Sequence, residues 1–146
     1  MHNEYLPFFR QYLRQMYSDI EAYKDESKIW IHPAGISNSA GNLCYHLVGN
    51  LNHFIGQGLG HTGYVRNREE EFGIRDVPRA RLLEMITDTV NMLENVLPQI
   101  ADFTAPYPSG YFPEDDNSIQ FVINRLLAHL GYHVGQVNYH RRLLDA

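Results

Sequence analysis

An all-α four-helix bundle is the fold class this sequence predicts. Four stretches repeat apolar residues at three- and four-residue steps. No stretch sustains the two-residue alternation of a half-buried strand, and clusters of Pro and Gly fall between the periodic stretches. With 146 residues, 44% of them hydrophobic and 20% charged, the chain reads as one domain over 1–146, able to bury a core and unlike a disordered segment.

The first helix is predicted over 3–24, where Tyr5, Phe9, Tyr12, Met16, Ile20 and Tyr23 share one face. Residues 25–39 read as a connection broken by Pro33 and Gly35 and anchored by Trp30 and Ile31. The second helix starts near Ser39, a side chain able to accept from first-turn N–H groups. It carries Leu43, Leu47, Leu51, Phe54 and Ile55 and ends at Gly56, Gly58 and Gly60. Residues 61–76, with the charged run 66–71, read as a long solvated loop. The third helix opens at 76–78 and buries Leu83, Ile86, Val90, Leu93 and Leu97, with Pro98 closing it. A second long loop spans 103–116. The fourth helix is predicted over 117–144, with Asn117 and Gln120 in the positions of a capping box. The long connections leave the helix order and handedness open.

Composition excludes several function classes. The formal net charge is −5, and basic residues are scattered apart from short pairs such as Arg66/Arg68 and Arg141/Arg142, so no nucleic-acid surface is expected. Cys44 is the single cysteine, which removes an intrachain disulfide and a cysteine-built zinc site and leaves a buried structural thiol as its reading. No run approaches 18 apolar residues and no leader pattern is visible, so a cytoplasmic protein with no membrane partner is expected. No phosphate loop, dinucleotide fingerprint or Ser/His/Asp spacing occurs.

The chemistry is concentrated on the fourth helix. Val122, Leu126, His129, His133, Gln136 and His140 follow one another at helical steps, so an apolar stripe turns polar on the same face. Buried imidazole needs a partner, and a metal ion, a hydrogen bond or water can each supply one. His129 and His133, one turn apart, can share an ion; alone, the pair fits metal and structural readings equally. On the second helix His46, Asn50 and His53 line one face, and facing helices of a bundle can bring His46 to the pair. Three neutral imidazoles leave coordination positions for solvent or substrate. The structural reading, hydrogen-bonded core histidines, stands beside this one. His53 and His140 read as supporting or structural residues, and His2, His32 and His61 as terminal or loop residues. Gly131 and Gly135, with Ala128, read as a place where another helix comes close. His-Glu-x-x-His is absent, because Leu130, Gly131 and Tyr132 separate the two histidines. No carboxylate lies on the inner stripe to act as a base.

Three segments carry a family resemblance. Residues 38–47, from Asn38 through Ser39, Asn42 and Cys44 to His46 and Leu47, resemble the start of the second helix in the DinB-like superfamily, and the Gly49-Asn50-Leu51 that follows resembles a subgroup of its uncharacterised members. His129 to Gln136 resembles its His-x-x-x-His, and Trp30 with Pro33 fits the approach to the second helix. That superfamily includes bacillithiol-type S-transferases and related thiol-dependent enzymes. The resemblance implies a DinB-like four-helix bundle, often a homodimer, with His46, His129 and His133 as metal ligands. It also implies a low-molecular-weight thiol as co-substrate, although no thiol-binding motif is legible.

The expected activity is metal-dependent attack of a thiol or of water on a small electrophilic molecule, as an S-transferase or a hydrolase. Asn50, His53 and His140 are the candidates for orienting substrate or water. The alternative is a non-catalytic metal-binding or dimerisation module. Zinc or nickel is expected first at three imidazoles, then iron, manganese or copper.

Overall fold

The computed structural model describes residues 4–108 and 117–146. Asn3, His2 and the Gly110 to Pro113 part of the second loop lie outside the described residues. Four long helices form the bundle: α1, Tyr5–Ala22; α2, Ala40–Leu51; α4, Arg79–Val96; and α5, Ile119–Leu144. A short fifth helix, α3, spans Arg68–Gly73 inside what the sequence reads as a solvated loop. Among the described residues no strand forms, and an isolated bridge pairs Pro106 with Ser118. Among them, too, no helix is long and apolar enough to cross a membrane.

α1 and α2 each pack against both α4 and α5, so the helices follow one another round the bundle as α1, α4, α2, α5. This settles the order that the long connections leave open. Phe9, Leu13, Met16 and Ile20 of α1 meet Leu47 and Leu51 of α2, Leu82, Ile86 and Leu93 of α4, and Val122, Ile123 and Leu130 of α5 in one core. Each such side chain contributes about 1.5–3 kcal/mol by leaving water. The α4 stripe differs from expectation. Leu82 is fully buried and Leu83 only partly, because α4 faces two neighbours and the doublet can turn only one member fully inward.

Local signals set the helix ends. Ser39 caps α2 as expected, its hydroxyl accepting from the Asn42 N–H at 3.1 Å. For α5 the cap is Ser118, which accepts from the Phe121 N–H, so Asn117 is not the capping residue. The helical run that α2 begins ends among its glycines, as expected, but not as a regular α-helix. It widens into a π-helical turn, Asn52–Gln57, and then Gly58–Gly60. Tyr107 donates to the Phe54 carbonyl in this turn at 2.7 Å, and a Cβ at Gly58 would lie 2.0 Å from that hydroxyl. His61, at φ +50°, ends the run.

Trp30 packs flat on Gly41, where a Cβ would lie 2.7 Å from three ring atoms. Gly131 likewise lets Tyr12 approach, but Gly135 is exposed and faces open space, contrary to the close approach expected there. These two surroundings give opposite expectations for alanine. Gly41→Ala should destabilise by about 1–3 kcal/mol through overpacking. Gly135→Ala should stabilise by about 0.5–1 kcal/mol through helix propensity. Urea unfolding of both variants reads the two signs; equal effects would contradict the packing described.

Candidate metal centre

The three histidines converge. α2 and α5 lie side by side, and the ligand atoms of His46, His129 and His133 all fall within 4.8 Å of one another. His46 Nε2 is 3.0 Å from His129 Nε2. In a tetrahedral zinc site with bonds of about 2.0–2.1 Å, ligand nitrogens stand about 3.3 Å apart, so the His46–His129 pair is already close to that spacing. The three could hold a metal ion. They stand at the edge of the core rather than in its middle: His46 is buried, but His129 and His133 are half-exposed. The buried stripe of α5 runs through Leu126, Leu130, Val134 and Val137, and the two histidines sit one position before Leu130 and Val134, about 100° around the helix. That offset leaves one side of the cluster open to solvent.

Support behind His46 comes from an unforeseen residue. Glu71 of α3 accepts from His46 Nδ1 at 3.0 Å, which leaves the His46 Nε2 lone pair facing the cluster. Arg66 clamps the same carboxylate, Nε to Oε2 at 2.9 Å and Nη2 to Oε1 at 3.0 Å. The side chains of Arg66 and Glu71 are only 11% and 4% exposed. The charged run 66–71 is therefore only partly solvated: residues 67–70 are exposed, whereas Arg66 and Glu71 turn inward, and 68–71 are helical rather than loop. Burial alone would raise the Glu71 pKa, but the hydrogen bonds from His46 and Arg66 hold it below the usual glutamate range.

Several contacts seat this carboxylate. Asn67 caps α3, accepting from the Glu70 N–H at 3.1 Å. The Asn42 amide donates to the carbonyls of Glu71 and Ile74, tying α3 onto α2. Gly49 provides the room: a Cβ there would lie 2.0 Å from Glu71 Oε2. Asn67 with Glu70 three residues on is itself a helix-start pattern, and it could have revealed α3 in the sequence.

His133 has its own support, since Nδ1 lies 2.7 Å from Gln136 Oε1, leaving Nε2 for a ligand. His129 has none. Its Nδ1 is buried without a hydrogen-bond partner, and so is Asn50 Oδ1.

Of the other candidates, His53 lies in the π-turn, its pKa lowered by burial and then by the Arg66 charge. His140 is removed from the cluster, about 10 Å further along α5 than His133. Both its ring nitrogens are engaged: Nδ1 lies 2.5 Å from the Tyr23 hydroxyl and Nε2 2.9 Å from the Ile31 carbonyl. That engagement makes it a core tie between α1, the 26–31 segment and α5, and leaves it no nitrogen to orient substrate. Cys44 is fully buried, its thiol pushed up to about 12 by burial, as a structural cysteine should be.

The metal-free cluster predicts an acid response. Burial first, then the neighbouring imidazoles and the Arg66 and Arg68 charges, push His129 down to about 4; burial also lowers His133. In the unfolded chain both titrate near 6.5. Between these values the unfolded chain binds more protons. Stability is therefore complete above pH 6.5 and falls as pH drops through that window toward 4. Urea midpoints in chelator from pH 7.5 to 4.5 should decline, and decline less in His129→Gln; identical slopes would contradict the assignment.

No curated protein and no solved structure matches the chain. The profile of a family described as Protein of unknown function (DUF1572) matches residues 2–146. An all-helical bundle with three converging histidines is thus what one of its members looks like: the chain belongs to the DUF1572 family.

Proposed function

We propose that this chain is a DinB-like metal-dependent protein, one divalent ion being held by His46, His129 and His133, and that it catalyses attack of a thiol or of water on a small electrophilic molecule. The convergence of three imidazole nitrogens within 4.8 Å, at a solvent-facing edge of the bundle, carries this reading. A divalent ion there would acidify a thiol or water that reaches it, supplying the nucleophile near neutral pH. Glu71 orients His46, and Gln136 orients His133. His53, kept neutral by burial and by Arg66, is the group assigned to accept the released proton. The donor set suits zinc or nickel first.

The test loads the protein with zinc or nickel and screens thiols, each paired with an electrophile panel, alongside hydrolase substrates. Turnover that vanishes in His133→Ala supports the enzyme; no turnover with metal fully bound rejects it.

A second reading, a non-catalytic metal clip, has its own support. The three imidazoles join α2 to α5, and Glu71 adds α3 to the same knot. A large fall in thermal midpoint on chelation, with no thiol or electrophile bound, favours the clip.

For the homodimer, support comes from a cavity of about 640 Å³ between the 33–38 segment and the C-terminal half of α5. Ile36, Tyr132, Tyr139 and Leu143 line it with largely exposed apolar surface. Light scattering of Tyr139→Glu/Leu143→Glu beside the parent reads this: a dimer turned monomer supports it, and a monomeric parent rejects it.

A further inference from the structure

The residue behind His129 can be assigned from two unpaired atoms. His129 Nδ1 and Asn50 Oδ1 are both buried and both lack a hydrogen-bond partner. Buried polar atoms are rarely left so, and each one asks for an explanation.

Their positions bring them to one level of the bundle. α2 and α5 run antiparallel: Leu43 lines a cavity with Gln136, Tyr139 and His140, whereas three residues later His46 meets His129 and His133. One further turn along α2, Asn50 falls back along α5 to the level of His129 and the turn before it.

Proton bookkeeping explains the mismatch. Glu71 accepts from His46 Nδ1, so His46 Nε2 carries a lone pair. The 3.0 Å contact then requires His129 Nε2 to carry the proton. His129 Nδ1 is left as an acceptor, and Asn50 Oδ1 is an acceptor too, so the two cannot bond. When an ion takes the Nε2 lone pairs of both histidines, the proton of neutral His129 must stand on Nδ1. The ring then presents a donor where Asn50 offers an unused acceptor.

We infer that Asn50 is the positioning residue for His129, its Oδ1 accepting from Nδ1–H, directly or across one buried water, in the metal-loaded form. Asn50 thus completes the set in which Glu71 serves His46 and Gln136 serves His133. This inference rests on the metal reading above.

The test titrates zinc against a competing chelator in the parent, Asn50→Leu and Asn50→Asp, with the thermal midpoint in excess chelator as a check on folding. Loss of such support typically costs 10–100-fold in metal affinity. Asn50→Leu should weaken zinc binding by that factor, and Asn50→Asp, which keeps an acceptor, should bind at least as tightly as the parent. In ring-nitrogen NMR of the zinc-loaded parent, His129 should show a protonated, slowly exchanging Nδ1 that exchanges faster in Asn50→Leu. Parent-like affinity and exchange in Asn50→Leu would overturn the inference while leaving the metal site standing. Equal weakening in Leu and Asp variants would also overturn it. A parent that binds no zinc would overturn both readings.

Discussion

His133→Ala is expected to weaken zinc binding by roughly a hundredfold to a thousandfold, since the free energy of a four-ligand zinc site, about 10–16 kcal/mol, is shared among its ligands. The metal-free fold should change little, because the side chain is half-exposed and its hydrogen-bond partner, Gln136, is exposed. His46→Ala should lose zinc to a similar degree but also destabilise the metal-free protein. His46 is 5% exposed and accounts for one of the partners of the buried Glu71 carboxylate. Chelator competition with thermal midpoints in excess chelator separates the two effects. His32→Ala, in an exposed segment, serves as the unaffected control. Parent-like affinity in both ligand variants would place the metal elsewhere or nowhere.

The second large effect is expected at Glu71. Its removal leaves the Arg66 guanidinium, nine-tenths buried, without its carboxylate. Breaking a buried pair from one side costs about 3–5 kcal/mol. Glu71→Ala should therefore lower stability by roughly that amount and also weaken zinc binding about 10–100-fold through loss of the His46 anchor. Gly49→Ala should reproduce much of this phenotype from another helix, because its Cβ would occupy the position of Glu71 Oε2. The double variant should cost clearly less than the sum of the two, since both changes unseat the same carboxylate. Additive costs, measured by urea unfolding, would contradict the shared seat.

The bundle and the convergence of three histidines were legible because helices convert spacing into geometry. His129 and His133 had to share a face of α5, and His46 belonged to an α2 face that an antiparallel partner could meet. Glu71 was not legible from its surroundings. Within Arg66-Asn67-Arg68-Glu69-Glu70-Glu71 every side chain looks solvated, and what buries Glu71 is distant: the gap left by Gly49, the imidazole of His46 and the amide of Asn42. Of the two readings of His140, supporting or structural residue and orienting group, the contacts favour the structural one. Its spacing matched the metal face, but Tyr23 and Ile31, from elements whose approach no spacing reveals, claim both nitrogens. The order of helices round the bundle escaped for a related reason, as the connections are long enough to permit more than one.

The account depends on one ion resting on imidazole nitrogens from α2 and α5. X-ray absorption at the zinc edge, on protein purified without a histidine tag and loaded with one equivalent, reads that directly. The predicted result is three nitrogen ligands at about 2.0–2.1 Å with imidazole scattering, plus one or two oxygen ligands at the open side. A spectrum fitted without imidazoles, or unchanged by His46→Ala and His133→Ala, would contradict it.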